Sequence, residues 1–128
     1  MATIPAGHTD ILEKKALAVV ATVAPGHAPQ TSVVWFEWAG SALQFSTTKP
    51  RAKFKHLRKN PMTSVLILDP DDDNRYLELR GEAKLTDDPD ASLIDRLSMR
   101  YNGSPWDGPT DGRVIVSLEP SKVVAYGK

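Results

Sequence analysis

Phe45-Ser46-Thr47-Thr48-Lys49-Pro50-Arg51-Ala52-Lys53 is the stretch in which residue types and spacing come closest to a chemical task. The end of an apolar run passes through three hydroxyls into a basic segment. Backbone N–H groups at a helix N-terminus carry partial positive charge, hydroxyls donate hydrogen bonds, and Arg and Lys add full charges, so this order suits a phosphate-type anion. Lys49, Arg51, Lys53, Lys55, Arg58 and Lys59 fall within eleven positions that contain no acid. The same residues also suit a solvated basic helix face with Phe54 and Leu57 turned inward. In a regular helix begun at Pro50, Arg51 and Lys53 point about 200° apart and cannot meet on one anion. They converge only if Arg51 lies in the turn before the helix and Lys53 is the first basic group inside it.

Other chemistries find less support. The chain contains no cysteine, which removes thiolate catalysis, disulfides and cysteine-bound metal. His8, His27 and His56 lie 19 and 29 residues apart, without the short spacings of a metal site, and no metal is expected. Glu37 stands alone in an aromatic run and Asp69 to Asp73 reads as a solvated turn, so no paired carboxylates mark a general acid and no catalytic residue is assigned.

The elements that must position these groups are those of one small domain spanning residues 1–128. The 128 residues are 41% hydrophobic and 25% charged, with 16 Lys+Arg against 16 Asp+Glu, which suits a globular chain with a core of its own. The apolar run Ala16 to Ala24 is far shorter than the roughly 20 residues of a membrane-spanning helix, so a cytoplasmic protein without a membrane span is expected. A pI near 6.8 argues for a local anion site rather than a nucleic-acid surface.

Thr9 reads as the N-cap of a short helix over Asp10 to Lys14. Leu17 to Val23 and Gln30 to Trp38 read as strands joined by a turn at Pro25 to Ala28, and Ala42 to Thr47 as the third strand of a meander. Pro50 to Asn60 reads as a basic helix, and Met62 to Leu68 as a compact strand. Tyr76 to Leu85 alternates strictly and predicts a strand with one buried face. Asp88-Pro89-Asp90 reads as the start of a helix carrying Ala91, Ile94, Leu97 and Tyr101 inward, followed by a Gly/Pro loop to Asp111. Strands Arg113 to Leu118 and Val123 to Tyr126 flank a corner at Glu119-Pro120. The sum is a mainly β chain of about 6–7 antiparallel strands with three short helices, in a barrel or sandwich.

Taken together, these residues resemble the split β-barrel flavin and deazaflavin oxidoreductases related to pyridoxamine 5′-phosphate oxidase, over nearly the whole chain. The resemblance is carried by Arg51-Ala52-Lys53-Phe54-Lys55-His56-Leu57-Arg58-Lys59-Asn60-Pro61, by Pro29, Ser32 and Trp35 on the second strand, by Gly81-Glu82-Ala83, and by Arg113 to Lys122 with Pro120. His56 stands where that family usually has Asn. The resemblance implies an FMN-binding-like split barrel, a homodimer, and a cofactor lying between subunits against strand backbone. It points to coenzyme F420, a deazaflavin that transfers hydride, with FMN as the alternative. The extra negative charge of the deazaflavin tail suits the basic cluster.

The resemblance assigns Ser46, Thr47, Thr48, Arg51 and Lys53 to the cofactor phosphate and Lys55 to its tail. Gln30, Thr31, Ser32, Val33 and Val34 would lie beside the ring, although ordinary strand packing suits Val33 and Val34 equally. Trp35, Tyr101 and Trp106 are candidates for the substrate pocket. For Trp106 the alternative is a loop anchor plugging the barrel end. The implied activity is hydride transfer to an unsaturated or quinone-like small molecule. A protein that binds F420 or flavin without turnover is the alternative from another class.

Overall fold

The computed structural model describes residues 2–128. A 3₁₀ turn, Ala6–His8, leads into α1 (Thr9–Glu13). The strands are β1 (Ala18–Thr22), β2 (Gln30–Val34), β3 (Glu37–Trp38), β4 (Leu43–Thr48), β5 (Met62–Leu68), β6 (Tyr76–Asp87), β7 (Arg113–Leu118) and β8 (Lys122–Tyr126). Between them lie α2 (Ala52–Lys59) and α3 (Ser92–Asn102). The strands form one curled antiparallel sheet in the order β2-β1-β5-β6-β7-β4-β3, with β8 added on β6, and the architecture is a split β-barrel. Eight strands form where about 6–7 were expected, because the run expected as one strand from Gln30 to Trp38 is broken into two.

That break explains the barrel's corner. β2 pairs with β1, whereas β3 pairs with β4, so the chain passes from one end of the sheet to the other at Trp35-Phe36 and the expected three-strand meander does not form. The Tyr101 hydroxyl, distant in sequence, donates to Ala16 O at 2.6 Å and accepts from Phe36 N at 3.3 Å. Phe36 is fully buried.

β6 is the spine shared by both halves. Tyr76 to Arg80 lie between β5 and β8, while Ala83 to Asp87 pair with β7. At the crossing, a Cβ on Gly81 would stand 3.0 Å from Glu119 O and 3.1 Å from a Leu118 methyl, so only glycine lets the Glu119-Pro120 corner approach this closely. The core encloses Phe36, Phe45, Leu43, Leu57, Ile67, Leu77, Leu79 and Leu118, supplied mainly by alternate positions of β4 to β7.

The helix starts differ from expectation. Thr9 is the first residue of α1, and its hydroxyl turns back to donate to Ala6 O instead of capping. Pro50 lies in the turn before α2, not in the helix. α3 begins at Ser92, because residues 88–91 form a turn closed by Ala91 N on Asp88 O, with Ala91 in the left-handed region at φ 53°. Asp88 still caps the helix: its carboxylate accepts from Ser92 N, Ser92 Oγ and Leu93 N at 2.9–3.1 Å. The Asp69 turn is not simply solvated. Asp69 is buried and binds Lys14 and Arg75, and Arg75 also binds Asp10, which clasps α1 to the β5–β6 turn.

Candidate functional site

A cleft of about 400 Å³ opens where β4 runs into α2. Arg51 is the residue before the helix, with φ −70° and ψ 145°, and Lys53 lies in its first turn. That extended backbone at Arg51 is the arrangement convergence requires, and both side chains line the cleft together with Ser46 and Thr47. Thr48 O accepts from Arg51 N at 3.0 Å and so shapes the turn, while the Thr48 side chain is not part of the lining.

A third cation enters from β7. Arg113 donates to Ser46 Oγ at 3.4 Å and to Pro109 O at 3.0 Å. Among the described residues no carboxylate lines the cleft and none forms an ion pair with Arg51, Lys53 or Arg113. Burial, and then the neighbouring Arg51 charge, lowers the pKa of both Lys53 and Arg113. Among the described residues, the buried Thr47 hydroxyl has no hydrogen-bond partner. Uncompensated cations beside an orphaned hydroxyl fit a phosphate group on a bound cofactor.

The rest of the lining is apolar and aromatic. Val33 and Val34 contribute from the end of edge strand β2, and Trp35 and Trp106 stand edge to face at 6.2 Å. Trp35 stacks on Tyr101 at 5.3 Å. Tyr101 is not itself part of the lining; it backs Trp35 and spends its hydroxyl on the corner. Charged and aromatic surfaces thus share one cleft, which suits a planar ring bearing an anionic arm.

The remaining sequence-predicted residues lie outside the cleft. Gln30 and Thr31 are exposed and Ser32 half-buried, farther along β2, whose outer edge has no strand partner among the described residues. Lys55 is exposed on α2. Lys49 is turned to Asp87 at 3.2 Å. His56 faces β1, with Nδ1 3.2 Å from Thr22 Oγ1, and exposed His27 stands beside it. Among the described residues no cluster of His, Cys, Asp or Glu is placed to hold a metal ion, and no helix is long and apolar enough to cross a membrane.

The sequence marks Arg113 as the start of a strand and as part of the closing motif that carries the resemblance, without a place in the site. Its register opposite Thr48 brings it to the cleft. A lone arginine after the Gly/Pro loop holding Trp106 was the available signal.

The family model for pyridoxamine 5′-phosphate oxidase matches residues 4–125. Among solved structures, the chain is similar to one described as an F420 reductase, at 34% identity and TM-score 0.87, over 94% of this chain and 98% of that one. A conserved hypothetical protein from Mycobacterium tuberculosis matches at 20% identity and TM-score 0.79, over 98% of this chain and 86% of its own. A pyridoxamine 5′-phosphate oxidase-related, FMN binding protein from Nostoc punctiforme matches at 18% identity and TM-score 0.71, over 98% and 84%. The last two likenesses concern the fold alone.

Proposed function

The chain belongs to the pyridoxamine 5′-phosphate oxidase family, and from that premise we propose that it is a coenzyme F420-dependent oxidoreductase passing hydride between the deazaflavin and an unsaturated or quinone-like small molecule. The observation that carries this reading is the cleft itself, which Ser46, Thr47, Arg51, Lys53 and Arg113 line together with apolar and aromatic residues, and in which, among the described residues, no carboxylate competes for the cations. The 34% identity to an F420 reductase favours the deazaflavin over FMN.

In this reading Arg51 and Lys53 hold the phosphate, with Thr47 supplying the hydroxyl that is otherwise unpartnered. Val33 and Val34 form the wall for the ring, and the free backbone edge of β2 offers hydrogen bonds to its polar rim. Gln30, Thr31 and Ser32 extend that edge, and Lys55 meets the acidic tail beyond the cleft. When bound, the reduced deazaflavin supplies the hydride. Trp35 and Trp106 bound the substrate and exclude water from the acceptor, and a proton, where the product needs one, comes from solvent. The assembly is a homodimer of single-domain subunits working in the cytoplasm on a small molecule.

Fluorescence titration of the purified chain with coenzyme F420 and, separately, with FMN tests the reading. Preferential F420 binding, followed by oxidation of reduced F420 on adding menadione, is the expected result. Preference for FMN would replace the deazaflavin by the flavin, the alternative favoured by the fold shared with the Nostoc FMN-binding protein. Tight F420 binding with no turnover on any acceptor would make the chain a carrier.

A further inference from the structure

We propose that Arg113 is a positioning residue that makes the tryptophan wall of the cleft respond to an anion at its charged end, so that cofactor phosphate sets the surface offered to substrate. The proposal deepens the functional reading above and rests on it.

The Arg113 guanidinium belongs to both ends of the cleft. One nitrogen donates to Ser46 Oγ at 3.4 Å, in the hydroxyl turn, while Nε donates to Pro109 O at 3.0 Å. Its central carbon lies over the Trp106 ring, 5.1 Å from the centroid. Trp106 is held by the same loop atom, since its indole Nε1 also donates to Pro109 O at 3.0 Å. The backbone fits this arrangement and no larger residue, because a Cβ on Gly108 would fall 2.3 Å from the Trp106 ring. Asp95 anchors Trp106 N from α3 at 2.9 Å, so the indole hinges on a fixed backbone point.

The bond to Ser46 is long and neutral at its acceptor, hence weak beside a charge-assisted bond to a phosphate oxygen. Asp88, the carboxylate whose charge reaches Arg113, is committed to the N-terminus of α3. Arg113 is therefore free to turn toward an anion at Ser46, Thr47, Arg51 and Lys53. Its stacked face and its Nε bond draw residues 106–109 with it. Trp106 then settles against Trp35 in a position set by the anion, which is a coupling between two ends of one cleft.

The test uses the full chain carrying 5-fluorotryptophan, whose three resonances are assigned with Trp35→Phe, Trp38→Phe and Trp106→Phe variants. Inorganic pyrophosphate, which has no ring to touch the indoles, is titrated by calorimetry and by fluorine NMR. In the unsubstituted chain, binding shifts the Trp106 resonance and leaves Trp38 in place. Arg113→Lys keeps the charge but loses the planar fork and the stack. It is expected to bind pyrophosphate still, with the Trp106 resonance no longer moving and an unchanged Trp38 resonance reporting an intact fold. Binding without a Trp106 shift in the unsubstituted chain, or an equal shift in Arg113→Lys, overturns the coupling alone. No pyrophosphate binding at all overturns the anion site and the cofactor reading with it.

Discussion

Arg51 and Lys53 line one cleft because one residue stands outside the helix and the other inside it. Among the described residues neither has a carboxylate partner, so in the proposed site truncating either one removes a charge-assisted bond to the cofactor phosphate. Arg51→Ala and Lys53→Ala are each expected to weaken F420 binding by about 1–3 kcal/mol. Unchanged titration curves for both would remove the anchor. Burial first, and Arg51 second, lower the Lys53 pKa, so in the free chain this amine loses its proton earlier than an ordinary lysine as pH rises. An anion binds the protonated form more tightly, so affinity falls as pH rises through that lowered value. Titrations on the alkaline side should show this fall in the unsubstituted chain and not in Lys53→Ala. The hydroxyl-rich entry to a basic segment, together with the family resemblance, marks this pair in the sequence, whereas the place of Arg113 in the cleft is not legible there, because strand register is what sets it opposite Thr48.

Among the elements, those bounded by their own local chemistry were legible. Met62–Leu68 and Arg113–Leu118 form the predicted strands because each is a short apolar run between breakers, and the alternation in Tyr76 to Leu85 marks the buried face of β6. Elements set by distant partners were not legible. The break at Trp35-Phe36 depends on Tyr101, and the burial of Asp69 depends on Lys14 and Arg75. That clasp predicts an acid response. The hydrogen bond from Arg75 holds the Asp10 pKa at about 2, and the one from Lys14 foremost lowers that of Asp69. Both groups titrate at ordinary values once unfolded, so the unfolded chain takes up protons first as pH falls. The stabilisation is complete above the ordinary carboxylate range and is lost as pH falls toward 2. Thermal melts of Asp69→Asn should start lower at neutral pH and change less with acid than those of the unsubstituted chain. Parallel acid profiles for the two would remove the clasp as their cause.

At the scale of the whole molecule, the outer face of the sheet is too apolar to be left to water by accident. Register aligns Val33, Val19 and Leu66 in one row across β2, β1 and β5, with Val33 61% and Leu66 39% exposed. Leu17 and Leu68 are exposed as well. Leu17 and Val33 also line the cleft, so a second copy seated on this face would close the open side of the site. We propose this face for the homodimer, where pairing would serve both solubility and cofactor binding. Leu66→Asp places a charge in that row while sparing the core, because Leu66 already meets solvent in the single chain. The expected outcome by sedimentation is a folded monomer with weakened F420 binding. Leu79→Asp is the contrasting variant: Leu79 is fully buried, and an unpaired charge there should prevent folding altogether. A Leu66→Asp chain that stays dimeric would move the interface to another face, and a monomer that binds F420 undiminished would show that one chain completes the cleft alone.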